Sequence, residues 1–212
     1  MKKESKKSLF LAIGLLLSFA AWTVAVCLVE VKAIGPDNST VGFATVNRFV
    51  HTLTGVHMTL YNITDWLGLV PIFFGMGFAM LGLSQWIKHK NLFKVDYSIL
   101  VLGGFYIAVM AVYFFFETVV VNYRPILING CLEASYPSST TMLVLTVMPT
   151  SAMQLNTRIK GKLSRRCIAF LITAFTVFMV IGRLISGVHW FSDIVGGVLL
   201  SAGLVMLYKF AS

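Results

Sequence analysis

Long apolar runs set what this chain can fold into. Six of them stand between polar connectors, at 9–29, 66–87, 97–116, 134–156, 167–182 and 194–208. The first four reach the ~20 residues that cross a hydrocarbon core about 30 Å thick, and the last two do so with their polar flanks around Arg183 and His189. With 58% hydrophobic and 12% charged residues among 212, the chain lacks the polar surface of a water-soluble domain. The expected fold is therefore all-α and integral to the membrane, one domain over 1–212 built as a bundle of six transmembrane helices.

The net charge of +9 could suit nucleic acid, but its distribution gives a different account. Lys2, Lys3, Lys6 and Lys7 precede the first run; Lys88, Lys90 and Lys94 separate the second from the third. Arg158, Lys160, Lys162, Arg165 and Arg166 separate the fourth from the fifth, and Lys209 follows the sixth. With six spans these all fall on one side, which the positive-inside rule makes the cytoplasm, with both termini there. A multi-pass protein of the cell (plasma) membrane follows, with no nucleic-acid partner. The basic loop 158–166 should favour anionic lipid head groups.

Cys27, Cys131 and Cys167 show neither pairing nor metal-ligand spacing, so neither a disulfide framework nor a metal or other cofactor is expected. The first apolar run is longer than the 7–15 residues of a signal-peptide core and reads as a retained helix. The connector 30–65 is an extracytoplasmic loop. Phe43, Val46, Phe49, Val50 and Leu53 have the spacing of a short amphipathic helix on the membrane surface, and a plain surface loop is an equal alternative. His51 and His57 in it have no carboxylate or cysteine at ligand spacing and read as solvated or capping residues. Gly68, Gly75, Gly77, Gly82, Gly103 and Gly104 mark close packing of the second and third spans. Nothing in the sequence specifies an oligomeric state.

The chemistry is concentrated in 117–193. An ionisable residue beside or within a span is costly enough that function is its default explanation. GRLISGVHWFSD, 182–193, places three between the fifth and sixth runs. His189 and Asp193 are four apart, one helical turn, so the carboxylate can orient the imidazole and stabilise its protonated form. Arg183 adds a planar cation suited to phosphate or carboxylate. The third span ends FFFETVVVNYRP, with Glu117 about two turns, ~10 Å, before Arg124. Pro125 breaks the helix and holds Arg124 at its outer end. SYPSSTT, 135–141, opens the fourth span: a proline followed by hydroxyl residues starts a helix whose free N–H groups form an anion site, although capping alone would also explain it. Six spans put all three stretches on the outer face, where Arg124, Ser138, Arg183, His189 and Asp193 can converge. Two arginines, a helix N-terminus and a His/Asp pair are what phosphoryl transfer to an enzyme nucleophile would use.

These residues resemble the type 2 phosphatidic acid phosphatase (lipid phosphate phosphatase and haloperoxidase) superfamily, whose signature runs K-x6-R-P, P-S-G-H and S-R-x5-H-x3-D. Arg183, His189 and Asp193 fit the third part, with Gly182 at the serine; Arg124-Pro125 fit the first and Pro137-Ser138 the second. The resemblance covers Glu117 to the C-terminus. It implies that His189 attacks phosphorus, Asp193 orients it, and Arg124, Arg183, Ser138 and Ser139 hold the phosphate of a membrane lipid. Glu117 stands at the lysine position, and Ser139 and Thr140 at the glycine and the general-acid histidine. A threonine hydroxyl is no proton donor at neutral pH, and loss of a general acid typically costs 10²–10⁴-fold; Glu117 is the other candidate donor. Three functions fit: a phosphatase acting on a lipid phosphate or pyrophosphate through a phosphohistidine on the extracytoplasmic face, a lipid head-group phosphotransferase, or a non-catalytic lipid-phosphate binding or transport protein.

Overall fold

The computed structural model describes residues 2–212, with side chains from Ser5 onward. Its long helices are α1 (Lys2–Leu28), α4 (Leu69–His89), α5 (Tyr97–Thr118), α6 (Ser139–Arg158), α7 (Lys162–Ile185) and α8 (Phe191–Ala211). Between α1 and α4 lie a two-stranded antiparallel ribbon, β1 (Lys32–Ala33) with β2 (Thr40–Val41), and the short helices α2 (Ala44–Thr54) and α3 (Met58–Leu67). Five stretches among the described residues are long and apolar enough to cross a membrane: 5–28 in α1, 58–89 formed by α3 and α4 together, α5, α7 and α8. The protein is a multi-pass membrane protein.

The fourth expected run, 134–156, behaves differently. Residues 134–138 are not helical, because Pro137 lacks an N–H and disfavours helical backbone in the residue before it. The helix starts at Ser139 and buries Thr141, Thr146, Thr150, Ser151 and Gln154. α6 packs on α4, α5, α7 and α8, so its surroundings are protein instead of lipid and it need not be apolar. Two of its hydroxyls are satisfied one turn back, Thr146 Oγ1 on Met142 O and Thr150 Oγ1 on Thr146 O, both at 2.7 Å. α7 and α8 are longer than their apolar cores because the helices continue through the polar flanks, taking in Arg183 and Asp193.

α8 lies at the centre, against α1 and α6. Gly196 permits this: a Cβ there would come 2.6 Å from the Tyr136 ring, which is buried between α1 and α8. The other span glycines divide. Gly82 lies on Ile99 across the α4–α5 contact, whereas Gly77, Gly103 and Gly104 have nothing within 4 Å and do not mark a packing face. α2 turns its apolar residues outward, with Val46, Phe49 and Leu53 exposed, and its polar side inward, with Asn47 fully buried. This is the arrangement of a helix lying in a membrane interface over a polar site.

The bundle has two polar ends. At one, the start of α5, the ends of α4 and α6 and the last turn of α8 meet around Asp96, Arg158 and Gln154. Lys88, Lys90, Lys94, Lys160, Lys162, Arg165, Arg166 and Lys209 belong to these same helix ends and connectors. At the other end, α2, α3, the segment after α5, the start of α6 and the α7–α8 turn converge.

Candidate active site

The α7–α8 turn, 186–190, carries His189 and is fitted against the chain between α2 and α3. Gly187 has φ +69°, and a Cβ there would stand 1.9 Å from Gly55 O. Its own carbonyl receives His51 Nε2 at 3.1 Å, and His57 N donates to Ser186 O at 3.0 Å. His57 Nε2 bonds Thr54 O at 2.8 Å, so His57 serves local backbone, whereas His51 holds the distant α7–α8 turn. Asp193 closes the first turn of α8 by accepting Trp190 N at 3.0 Å. Arg183 ends α7, and Arg124 follows α5 on an extended stretch tied down by Arg124 N donating to Glu133 O at 3.0 Å.

The His189 ring is held at both nitrogens. Ser135 Oγ lies 2.9 Å from Nδ1 and donates its one proton to Asp193 Oδ2 at 2.6 Å, so it can only accept from Nδ1. The expected His189–Asp193 pair is thus joined through a hydroxyl. Asp193 Oδ1 receives Asn122 Nδ2 at 3.0 Å, and Ser192, beside it, is held by Asn47 through N (3.0 Å) and Oγ (2.9 Å). With the proton on Nδ1, the Nε2 lone pair faces Arg183 Nη2 at 3.2 Å and Arg124 Nη1 at 3.4 Å. Burial first, then the two guanidinium groups, hold the His189 pKa well below the ordinary 6.5.

The two arginines are only 8% and 1% exposed. Both stand over the Tyr61 ring, with Arg183 Cζ 4.9 Å and Arg124 Cζ 6.0 Å from its centre. Their counter-charges are imperfect. Asp65 Oδ1 is 3.6 Å from Arg183 Nη1; Glu133 Oε2 is 3.0 Å from Arg124 Nε but out of line with its N–H. Arg183 Nε and Nη1 and Arg124 Nε consequently donate no hydrogen bond. Buried guanidinium donors converging on one imidazole lone pair form a site for an anion that the imidazole can attack.

Ser138 caps α6: its Oγ donates to Thr141 Oγ1 at 3.0 Å and accepts Thr141 N at 3.4 Å. Ser139 and Thr140 lie on the side of α6 toward α5, sharing a groove with Tyr113 and Met142. Among the described residues no hydrogen bond joins Ser138, Ser139 or Thr140 to Arg124, Arg183 or His189. Glu117 is exposed at the end of α5 beside Tyr113, and no ion pair reaches it among the described residues. The carboxylates at the arginines are Asp65 and Glu133. Asn122, inside the first motif, Ser135, just before the second, and Asn47, Tyr61 and Asp65, which lie far from them in the chain, complete the site. Only Asp65, an acid opening an apolar run, gave any local signal.

The segment that supplies Arg124, Ser135, Arg183, His189 and Asp193 matches the family model described as the PAP2 superfamily, over 118–211. The whole fold is similar to a solved structure described as the first transmembrane PAP2 type phosphatidylglycerolphosphate phosphatase from Bacillus subtilis, with a TM-score of 0.60 and 18% identity over 93% of this chain and 94% of that one. At that identity the likeness is one of fold. Comparison with curated proteins finds no match. The N-terminal helices lie outside the PAP2 match, yet Asn47, Tyr61 and Asp65 sit on the PAP2 residues.

Proposed function

We propose that this protein is a membrane lipid phosphatase that acts through a phosphohistidine on the extracytoplasmic face of the plasma membrane. The reading rests on one observation: the Nε2 lone pair of a histidine anchored through Ser135 and Asp193 faces two buried guanidinium groups with unused donors. The arginines hold the phosphate oxygens, and His189 Nε2 forms the bond to phosphorus. The imidazolium that develops is stabilised through its Nδ1–H, Ser135 and Asp193. Water then releases phosphate. The leaving oxygen takes its proton from water at the partly exposed rim, since the Thr140 hydroxyl is no acid at neutral pH and no ion pair among the described residues joins Glu117, exposed at the end of α5, to either arginine. Charge supports this face: the basic connectors lie at the opposite end of the bundle, where the positive-inside rule favours the cytoplasm.

Phosphate release by the purified protein from phosphatidic acid, phosphatidylglycerol phosphate and undecaprenyl pyrophosphate tests this. Turnover of at least one lipid is expected, abolished by His189→Ala. Ser135→Ala removes one buried hydrogen-bond link, about 1–3 kcal/mol, and should lower kcat roughly 10- to 100-fold with KM little changed. No turnover on any of the three, with His189→Ala indistinguishable from the parent, would remove the phosphatase reading. Turnover only with a diacylglycerol or ceramide acceptor present would make the protein a head-group transferase.

A further inference from the structure

The rim of the arginine site carries negative charge. The Asp65 and Glu133 side chains, 57% and 41% exposed, stand at Arg183 and Arg124 without filling their donors. A guanidinium fork accepts a carboxylate bidentately where geometry allows, and neither carboxylate is so placed. Arg183, almost fully buried, directs its unused Nη1 toward Asp65. With His189 neutral, the charges alternate and cancel, two guanidinium groups inside and two carboxylates outside.

A phosphate on the guanidinium groups changes this balance. It takes over their charge and leaves two carboxylates facing a third anion at short range, an arrangement that disfavours a purely anionic head group. A ligand with its own cation beside the phosphate restores the alternation. Asp65 is the better partner for that cation: it is the more exposed of the two carboxylates, whereas Glu133 lies on a stretch fixed by its carbonyl to Arg124 N. We propose that the site takes a zwitterionic phosphate head group of the phosphoethanolamine class, its phosphate on Arg124 and Arg183 and its primary ammonium on Asp65. The assignment rests on the reading of the arginine pair as the phosphate site.

The test compares O-phosphoethanolamine with ethyl phosphate, which differ only in the ammonium group, by calorimetric titration of the full-length protein in detergent. Phosphoethanolamine should bind about fivefold tighter, the upper range for a partly exposed ion pair. Asp65→Asn should bring the ratio close to one while leaving ethyl phosphate affinity unreduced, which also shows that the variant is folded. Equal affinities in the parent protein, or a preference that survives Asp65→Asn, overturns the proposal. The underlying phosphate site fails separately, if neither compound binds or if Arg183→Lys weakens neither.

Discussion

His189 is constrained by groups with opposite demands: a hydroxyl that can only accept at Nδ1 and two cations that can only donate at Nε2. The neutral Nδ1–H tautomer satisfies both, and protonation would place a third positive charge in a buried space. Burial, Arg124 and Arg183 accordingly depress its pKa well below 6.5, with the Ser135 contact opposing them. The protonated ring has no lone pair for phosphorus, so the active form is the neutral one, and a depressed pKa keeps it populated into mildly acid solution. In the proposed reaction kcat/KM should stay flat from pH 8 to about 6 and fall only at more acid pH, whereas an ordinary histidine would already be losing activity near 6.5. Arg124→Gln removes one of the two cations and should move the acid limb upward while raising KM. A parent limb centred at or above 6.5, or one that Arg124→Gln leaves in place, would show that His189 is not the group titrating.

The turn between α7 and α8 works as an element because another element backs it. Gly187 needs both its positive φ and the absence of a Cβ, since Gly55 O would lie 1.9 Å from that atom. Gly187→Ala should therefore displace the turn and His189 with it. A shift on the order of 1 Å at a reacting group costs about 10²-fold, and that fall in kcat is expected with the helix content of the protein retained. Unchanged turnover would mean that the turn is not held by this contact. The same packing explains what could be read from the chain. His189, Asp193 and Arg183 were legible because one short connector keeps them close, although His189 lies on the turn before α8 and not on one helix with Asp193. Arg124 was legible for a reason the structure corrects: Pro125 ends no helix there, since α5 stops at Thr118 and Arg124 follows on an extended stretch. The Ser135 bridge was not legible, because the segment before Ser139 is extended and its direction is set by tertiary packing. Asn47, Tyr61 and Asp65 were hidden for a stronger reason: α2 and α3 reach the site only through contacts distant in sequence, and α2 turns a polar side inward where the apolar spacing drew attention to its outer face.

At the scale of the whole molecule, the two polar ends of the bundle have separate tasks. The end remote from His189 is a clasp. Arg158 Nη2 reaches Asp96 Oδ2 at 3.4 Å and Ser98 Oγ at 3.2 Å, while its Nη1 donates to Gln154 O at 3.1 Å. Gln154 Nε2 in turn donates to Ser98 O at 3.1 Å and Gln85 Nε2 to Asp96 Oδ2 at 3.0 Å, so that α4, α5 and α6 are tied together there. α6 runs 20 residues between the clasp and the site, ~30 Å at 1.5 Å per residue. Arg158→Ala should leave Gln154, only 4% exposed, short of one partner and remove Arg158's own links to Asp96 and Ser98, the Gln154–Ser98 bond remaining. Losing hydrogen bonds of that kind costs about 1–3 kcal/mol, which for a chain of this size lowers Tm by roughly 2–10 °C. Because no element at the His189 end changes its contacts, kcat measured well below Tm should match the parent. Thermal unfolding in detergent, read beside phosphate release at low temperature, separates the two quantities. A variant with unaltered Tm would show that the clasp carries no stability, and one that loses kcat at unaltered fold would show that the two ends are coupled through α6.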